Sequence, residues 1–190
     1  MERPTNKEHF FAEARTSSFE SLVASLKEMD LHLQLIPISL ETGQDMKILV
    51  ASDSSLALPK SVLSKLAQYV QKSVLREKGT DLGRKDCASV AGQAQRTLEQ
   101  FFQKNNLAFG TIGTNATGTP LKFFPRFGYD HHIINYAEGS NIAAAIDLTA
   151  GYTVDTEHGN YSILVIACRS VQDLEDTLKK ITGTSWSVRD

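Results

Sequence analysis

Two cysteines, Cys87 and Cys168, are all that the chain carries in 190 residues. That is too few for a disulfide framework or a cysteine-based zinc site, so each thiol needs its own explanation. Charge of either sign is not in excess, since 20 basic residues stand against 22 acidic ones. The balance excludes the strong field that nucleic acid or an anionic membrane would select. No apolar run approaches the length of a membrane span, and the stretch Met1 to Glu8 lacks the hydrophobic centre of a secretory signal. The expectation is a soluble chain of the cytoplasm, or one exported without a cleavable signal, with no membrane and no nucleic-acid partner. Internal repeats, low-complexity segments and a second-domain linker are missing too, and no segment specifies an oligomeric state. A chain of this length buries a real core, so residues 1–190 read as a single domain with 1–15 as a loose polar tail from which Phe10 and Phe11 can dock.

What is present reads as α+β. Ser17 and Glu20 have capping-box spacing, and Phe19, Leu22, Val23, Leu26 and Met29 form one face of a helix over Ser18 to Met29. Leu31, Leu33 and Leu35 then alternate with His32, Gln34 and Ile36, and a second strand over Met46 to Ala51 follows a turn at Glu41 to Gln44. Pro37 sends the first strand of this hairpin to an edge or a bulge. Pro59 opens a helix whose apolar positions Val62, Leu63, Leu66, Tyr69, Val70, Val74 and Leu75 run until Gly79. Later come a short strand over Leu107 to Ile112, an irregular loop over Gly113 to Thr119 that suits a mobile rim, and strands over Asp130 to Ala137 and Asn141 to Thr149 joined at Glu138 to Ser140. The nearly all-apolar Tyr161 to Cys168 reads as a central strand, and Ser170 caps a last helix that Gly183 ends.

The chemistry-bearing stretch is Lys85-Asp86-Cys87-Ala88-Ser89-Val90-Ala91. Val90, Ala91, Ala94, Leu98, Phe101 and Phe102 continue from Cys87 at helical spacing to about Lys104, with Asp86 as N-cap. A thiol at a helix N-terminus sits at the positive end of the dipole, which lowers its pKa from about 8.5, although an anionic Asp86 works partly against this. Downstream stand His132 at a strand start and Asp147 near the end of the next strand, on either side of the turn at Gly139. A thiolate attacks a carbonyl carbon, an imidazole moves the proton, and a carboxylate on the other ring nitrogen fixes its orientation. Strand neighbours face opposite sides, so only one of His131 and His132 can point at Cys87. Cys168 lies within Leu164-Val165-Ile166-Ala167-Cys168 and reads as a core thiol, and His158, in the loop Asp155 to Asn160, reads as solvated. The histidines and acids of 130–158 have no compact metal spacing, and the glycine-rich 110–119 segment has no lysine after a glycine, so neither a metal site nor a phosphate loop is expected.

The order Cys, His, Asp, with Asp-Cys and an alanine four residues on, then His132-Ile133-Ile134-Asn135, then Ile146-Asp147-Leu148-Thr149, resembles the transglutaminase-like branch of the papain-like cysteine enzymes. The resemblance spans about Val62 to Cys168. It favours His132 over His131 by the spacing to Asn135. It implies a papain-like core in which the cysteine-bearing helix packs on an antiparallel sheet, with Cys87 as nucleophile, His132 as base and acid, and Asp147 as orienting carboxylate. No cofactor and no metal are implied, and the oxyanion would rest on the backbone N–H of Cys87 and a second donor. The expected activity is hydrolysis of a peptide bond or of a protein glutamine carboxamide, as in a cysteine protease or a deamidase of the bacterial-effector kind, on a protein or peptide substrate. Transfer to an amine, as in transglutaminases and arylamine acetyltransferases, is the alternative, and a non-catalytic interaction domain that keeps the fold is the rival from another class.

Overall fold

The computed structural model describes residues 24–43, 45–53, 56–74, 87–115, 121, 131–150 and 163–189. The tail 1–15 with Phe10 and Phe11, the capping box at Ser17 and Glu20, the helix end at Leu75 to Gly79, the Asp86 cap, the rim 116–119 and the His158 loop lie outside them. Seven strands make one sheet: β1 (His32–Ser39), β2 (Asp45–Ser52), β3 (Ala108–Thr114), β4 (Ile133–Glu138), β5 (Ala143–Asp147), β6 (Ile163–Cys168) and β7 (Trp186–Arg189). Their spatial order is β1-β2-β6-β5-β4-β3-β7, and all neighbours are antiparallel except β2 and β6. Three helices pack on it, namely α1 (Lys60–Tyr69, prolonged by a wider turn over Val70–Val74), α2 (Cys87–Lys104) and α3 (Val171–Thr182). A helical stretch over 24–28 is the described part of the first expected helix. The class is therefore α+β, on a mostly antiparallel sheet. No helix among the described residues is long and apolar enough to cross a membrane.

Alternation along the strands divides the core in two. Ile163, Val165 and Ala167 of β6 join Ile48 and Val50 of β2 and the inner faces of α1 and α2, whereas Leu164, Ile166 and Cys168 face Leu174, Leu178 and Ile181 of α3. Burial on both faces is why β6 reads as an uninterrupted apolar run, and it lies third of seven in the sheet. At the sheet's edge, β1 carries Pro37 opposite Lys47, where a residue without an N–H costs no interior ladder bond. The α3 ends are read correctly from sequence: Ser170 Oγ accepts from the Asp173 N–H at 3.2 Å, and Gly183 takes φ 76° in the left-handed region.

Several boundaries differ from expectation, among them the strand expected over Asn141 to Thr149, which is the shorter β5 at Ala143–Asp147. The short strand at Leu107 to Ile112 is β3, and it continues through Gly113 and Thr114 into what looked like loop, because these residues pair with Ile133 on one side and with Ser187 and Trp186 on the other. The strand expected from Asp130 starts only at Ile133. The last strand, β7, has no counterpart in the sequence pattern. Its four residues follow the α3 C-cap, and it becomes a strand only by pairing with β3.

Candidate active site

Cys87 is the first described residue of α2, whose buried stripe Ala91, Ala94, Leu98 and Phe102 follows it at intervals of three and four. Two alanines in the first turns let this end of the helix approach the sheet closely, while Phe102 stacks on Phe109 of β3 at a ring-centre distance of 4.0 Å. Asn135 of β4 fastens the contact: its side-chain amide donates to the Ala91 carbonyl at 2.9 Å and to the Gly110 carbonyl at 3.3 Å. The asparagine three residues after His132 thus ties the cysteine helix to the histidine strand.

The β4–β5 hairpin turns with the Gly139 N–H donating to the Ile142 carbonyl at 2.8 Å. Asn135 pairs with Ile146, so extending the register by one places Asp147 opposite Ile134. His132 is then a diagonal neighbour of Asp147 on the same face, within reach of a long side chain. His132 Nε2 lies 3.1 Å from Asp147 Oδ2, and the two residues are 3% and 1% exposed. The other carboxylate oxygen, Oδ1, accepts from the Thr149 N–H and from the Thr149 hydroxyl, both at 2.8 Å. Both oxygens of the buried carboxylate are therefore satisfied.

The Cys87 side chain hydrogen-bonds to the His132 imidazole, and since Nε2 is occupied by Asp147, Nδ1 is the nitrogen left for the sulfur. Burial alone would lower the imidazole pKa. The charge of Asp147, its hydrogen bond and the adjacent Cys87 sulfur outweigh burial and push it up to about 9. Burial would likewise raise the Asp147 carboxyl, but the His132 charge and the bonds from His132 and Thr149 hold it below its ordinary value. The three residues named from the sequence are brought together. His132, not His131, faces Asp147, while half-buried His131 lines the neighbouring cleft. Cys168 is buried, its sulfur 3.6 Å from Thr177 Oγ1, and burial pushes its thiol up.

Sequence reading missed the groups that hold the histidine. Thr114 brackets its backbone, its hydroxyl accepting from the His132 N–H and its own N–H donating to the His132 carbonyl, both at 3.0 Å. Trp186 of β7 stands edge-on to the imidazole, with ring centres 6.2 Å apart, and is anchored by donation from Nε1 to Thr182 Oγ1 at 2.8 Å. Both the indole and the imidazole are buried. Neither residue carried a local signal, because both arrive from other strands. Thr149 did carry one, as Asp-x-Thr is the spacing of a local side-chain turn.

Gly113 sits beside this frame, where a Cβ would stand 2.8 Å from Ile133 Cγ1 and 3.0 Å from the His132 carbonyl oxygen. Gly113→Ala is expected to cost about 1–3 kcal/mol by overpacking and to push His132 off Asp147. Urea unfolding would read the first effect. Imidazole NMR titration would read the second, as a fall in the His132 pKa from about 9. An unchanged titration would show that the backbone absorbs the methyl without moving the ring.

Among the described residues no group of three or more His, Cys, Asp or Glu comes together to hold a metal ion. A cleft of about 500 Å³ opens between a half-buried flank of α2 (Ala88, Gly92, Gln95) and the strand ends at Thr114, His131 and Arg189, lined by neighbours of Cys87 and His132 but by none of the three triad residues. No protein-family model matches the chain, and searches of the curated proteins and of the solved structures return no match either.

Proposed function

We propose that the protein is a thiol-dependent hydrolase of the papain-like, transglutaminase-like kind, with Cys87 as nucleophile, His132 as base and acid, and Asp147 as orienting carboxylate. The observation that carries the reading is one imidazole held at Nε2 by a buried carboxylate and bonded to the cysteine that opens a helix. Two further contacts meet the histidine, the hydrogen bonds of Thr114 to its backbone and the nearby ring of Trp186, while Asn135 ties its strand to α2. An interaction domain that merely kept the fold would have a Cys87 sulfur buried away from both histidines, whereas Cys87 is a half-buried residue whose side chain hydrogen-bonds to His132.

In the reaction the thiolate attacks the carbonyl carbon of a peptide bond or a glutamine carboxamide. The C–N bond breaks as the imidazolium gives its proton to the leaving amine or ammonia. Water then attacks the thioester, the imidazole takes its proton, the S–C bond breaks and the acid leaves. Hydrolysis is our first reading and transfer to an amine the second, and a cleft open to solvent near the site favours that order.

Alkylation against pH, read by peptide mass, tests the reading. Iodoacetamide should modify Cys87 in the native protein well below the pH at which an ordinary thiol reacts, with Cys168 protected until unfolding. Turnover should fall as pH rises through about 9, where His132 loses the proton that the leaving group needs. Alkylation should persist there, because the thiolate remains. If both cysteines label only on unfolding, the hydrolase reading is wrong.

A further inference from the structure

The cleft near the triad contains a cation that the proposed chemistry does not use. Arg189, in the last described strand, lines it together with His131, Asn115, Thr111, Thr114 and Gln95. The guanidinium is held on one side only: Nη2 donates to Asn115 Oδ1 at 3.0 Å. Its Nε is buried without a hydrogen-bond acceptor, and it lies 3.5 Å from the position a Cβ on Gly113 would take, so the side chain is laid across the glycine. Among the described residues no carboxylate pairs with it and no acid lines the cleft. Among the described residues this guanidinium has a neutral amide for its partner and no acid to offset its charge, and its covered, unsatisfied N–H is costly. Planar N–H donors of this kind suit a carboxylate, which they bind through charge-assisted bonds.

The cleft is lined by neighbours of the reacting groups, though by none of Cys87, His132 and Asp147 themselves. Ala88 follows Cys87 in the first turn of α2, Thr114 brackets the His132 backbone, and His131 adjoins His132. An acyl donor whose carbonyl lies at the sulfur must run its neighbouring residues past this wall. We infer that Arg189, held by Asn115, selects substrates that carry a carboxylate within a residue or two of the reactive carbonyl. This rests on the reading of Cys87 as the nucleophile. The carboxylate can be an Asp or Glu side chain of a peptide or its C-terminal carboxylate, and the two sources share the same recognition chemistry.

Electrophilic peptides test this without a known substrate. Each alkylates a thiolate by forming a C–S bond as the C–Cl bond breaks and chloride leaves. Three matched pairs suffice: acetyl-peptidyl chloromethyl ketones with Glu or Gln on the acyl side, chloroacetyl peptide amides with Glu or Gln on the other side, and a chloroacetyl-glutamine peptide as free acid or amide. The readout is the second-order rate of Cys87 modification by peptide mass on the full chain. At least one carboxylate member should react about tenfold or more faster than its neutral twin, with the preference shrinking in high salt. In Arg189→Gln the ratio should collapse to about one. Preference in the first two pairs identifies a side-chain acid, and preference in the third a chain terminus. If Cys87 labels readily with every probe but no pair differs in the wild-type protein, the Arg189 inference falls and the nucleophile stands. A preference that survives in folded Arg189→Gln also overturns it. If no probe or iodoacetamide modifies native Cys87, the hydrolase reading falls first.

Discussion

Cys87→Ala is expected to reduce casein cleavage, or ammonia release from a glutaminyl peptide, by at least ~10⁴-fold, since losing the nucleophile of a triad removes nearly everything the other members add. Stability should change by no more than about 1–2 kcal/mol, because the side chain is small, half-buried and at the start of a helix. One further effect separates this variant from a passive core substitution. The Cys87 sulfur is among the groups that raise the His132 pKa, behind Asp147, so the imidazole should titrate lower in Cys87→Ala while remaining above an ordinary histidine. Cys168→Ala is the matched control, since its sulfur is buried against α3 and bonded only to Thr177 within the described residues. It should lose stability by a comparable amount and keep full turnover. A Cys87→Ala protein that turns over either substrate at the wild-type rate would leave the structure with a buried ion pair and no nucleophile.

The parts legible in the sequence are those governed by local rules. The stripe from Cys87 to Phe102, the Ser170 and Gly183 caps and the turn at Gly139 each depend on a few neighbouring residues, and the two-residue period of strands puts His132 and Asp147 on one face once the turn is located. The diagonal offset between them was not legible, because it depends on whether four residues or two make the turn. Non-local pairing hid the rest. The parallel seam between β2 and β6 joins residues more than a hundred positions apart, and β7 has no strand pattern of its own that outweighs its shortness. Through that strand come both Trp186, whose ring stands near the imidazole, and Arg189, which lines the cleft. Gly113 was read as loop for its composition, yet it is a strand residue whose missing Cβ gives His132 its place. A glycine signals close approach as often as it signals a turn.

Asp147→Asn is expected to cost turnover about as much as Cys87→Ala, ~10⁴-fold, for a reason that lies in hydrogen-bond direction rather than shape. In the native site Oδ1 accepts twice from Thr149 and Oδ2 accepts from His132 Nε2. An amide has one acceptor oxygen to offer. If it keeps that oxygen on the two Thr149 donors, its NH₂ faces Nε2, which must then become an acceptor and leave the ring proton on Nδ1. A protonated, neutral Nδ1 cannot take the thiol's proton, so the ion pair is not formed. The pH dependence of folding should change with it. The raised His132 pKa contributes stability that is fully present below about 6.5 and is lost as pH rises through about 9. The lowered Asp147 pKa contributes stability that is present above the ordinary carboxylate value and is lost as pH falls through its depressed one. Urea unfolding of the wild-type protein should therefore show a decline between pH 6.5 and about 9 that Asp147→Asn lacks, together with a loss of its acid-side share. The His132 imidazole of the variant should titrate well below 9. If instead Asp147→Asn keeps the elevated imidazole pKa and near-native turnover, the carboxylate neither orients nor charges the ring, and the pair is a structural bridge between β4 and β5.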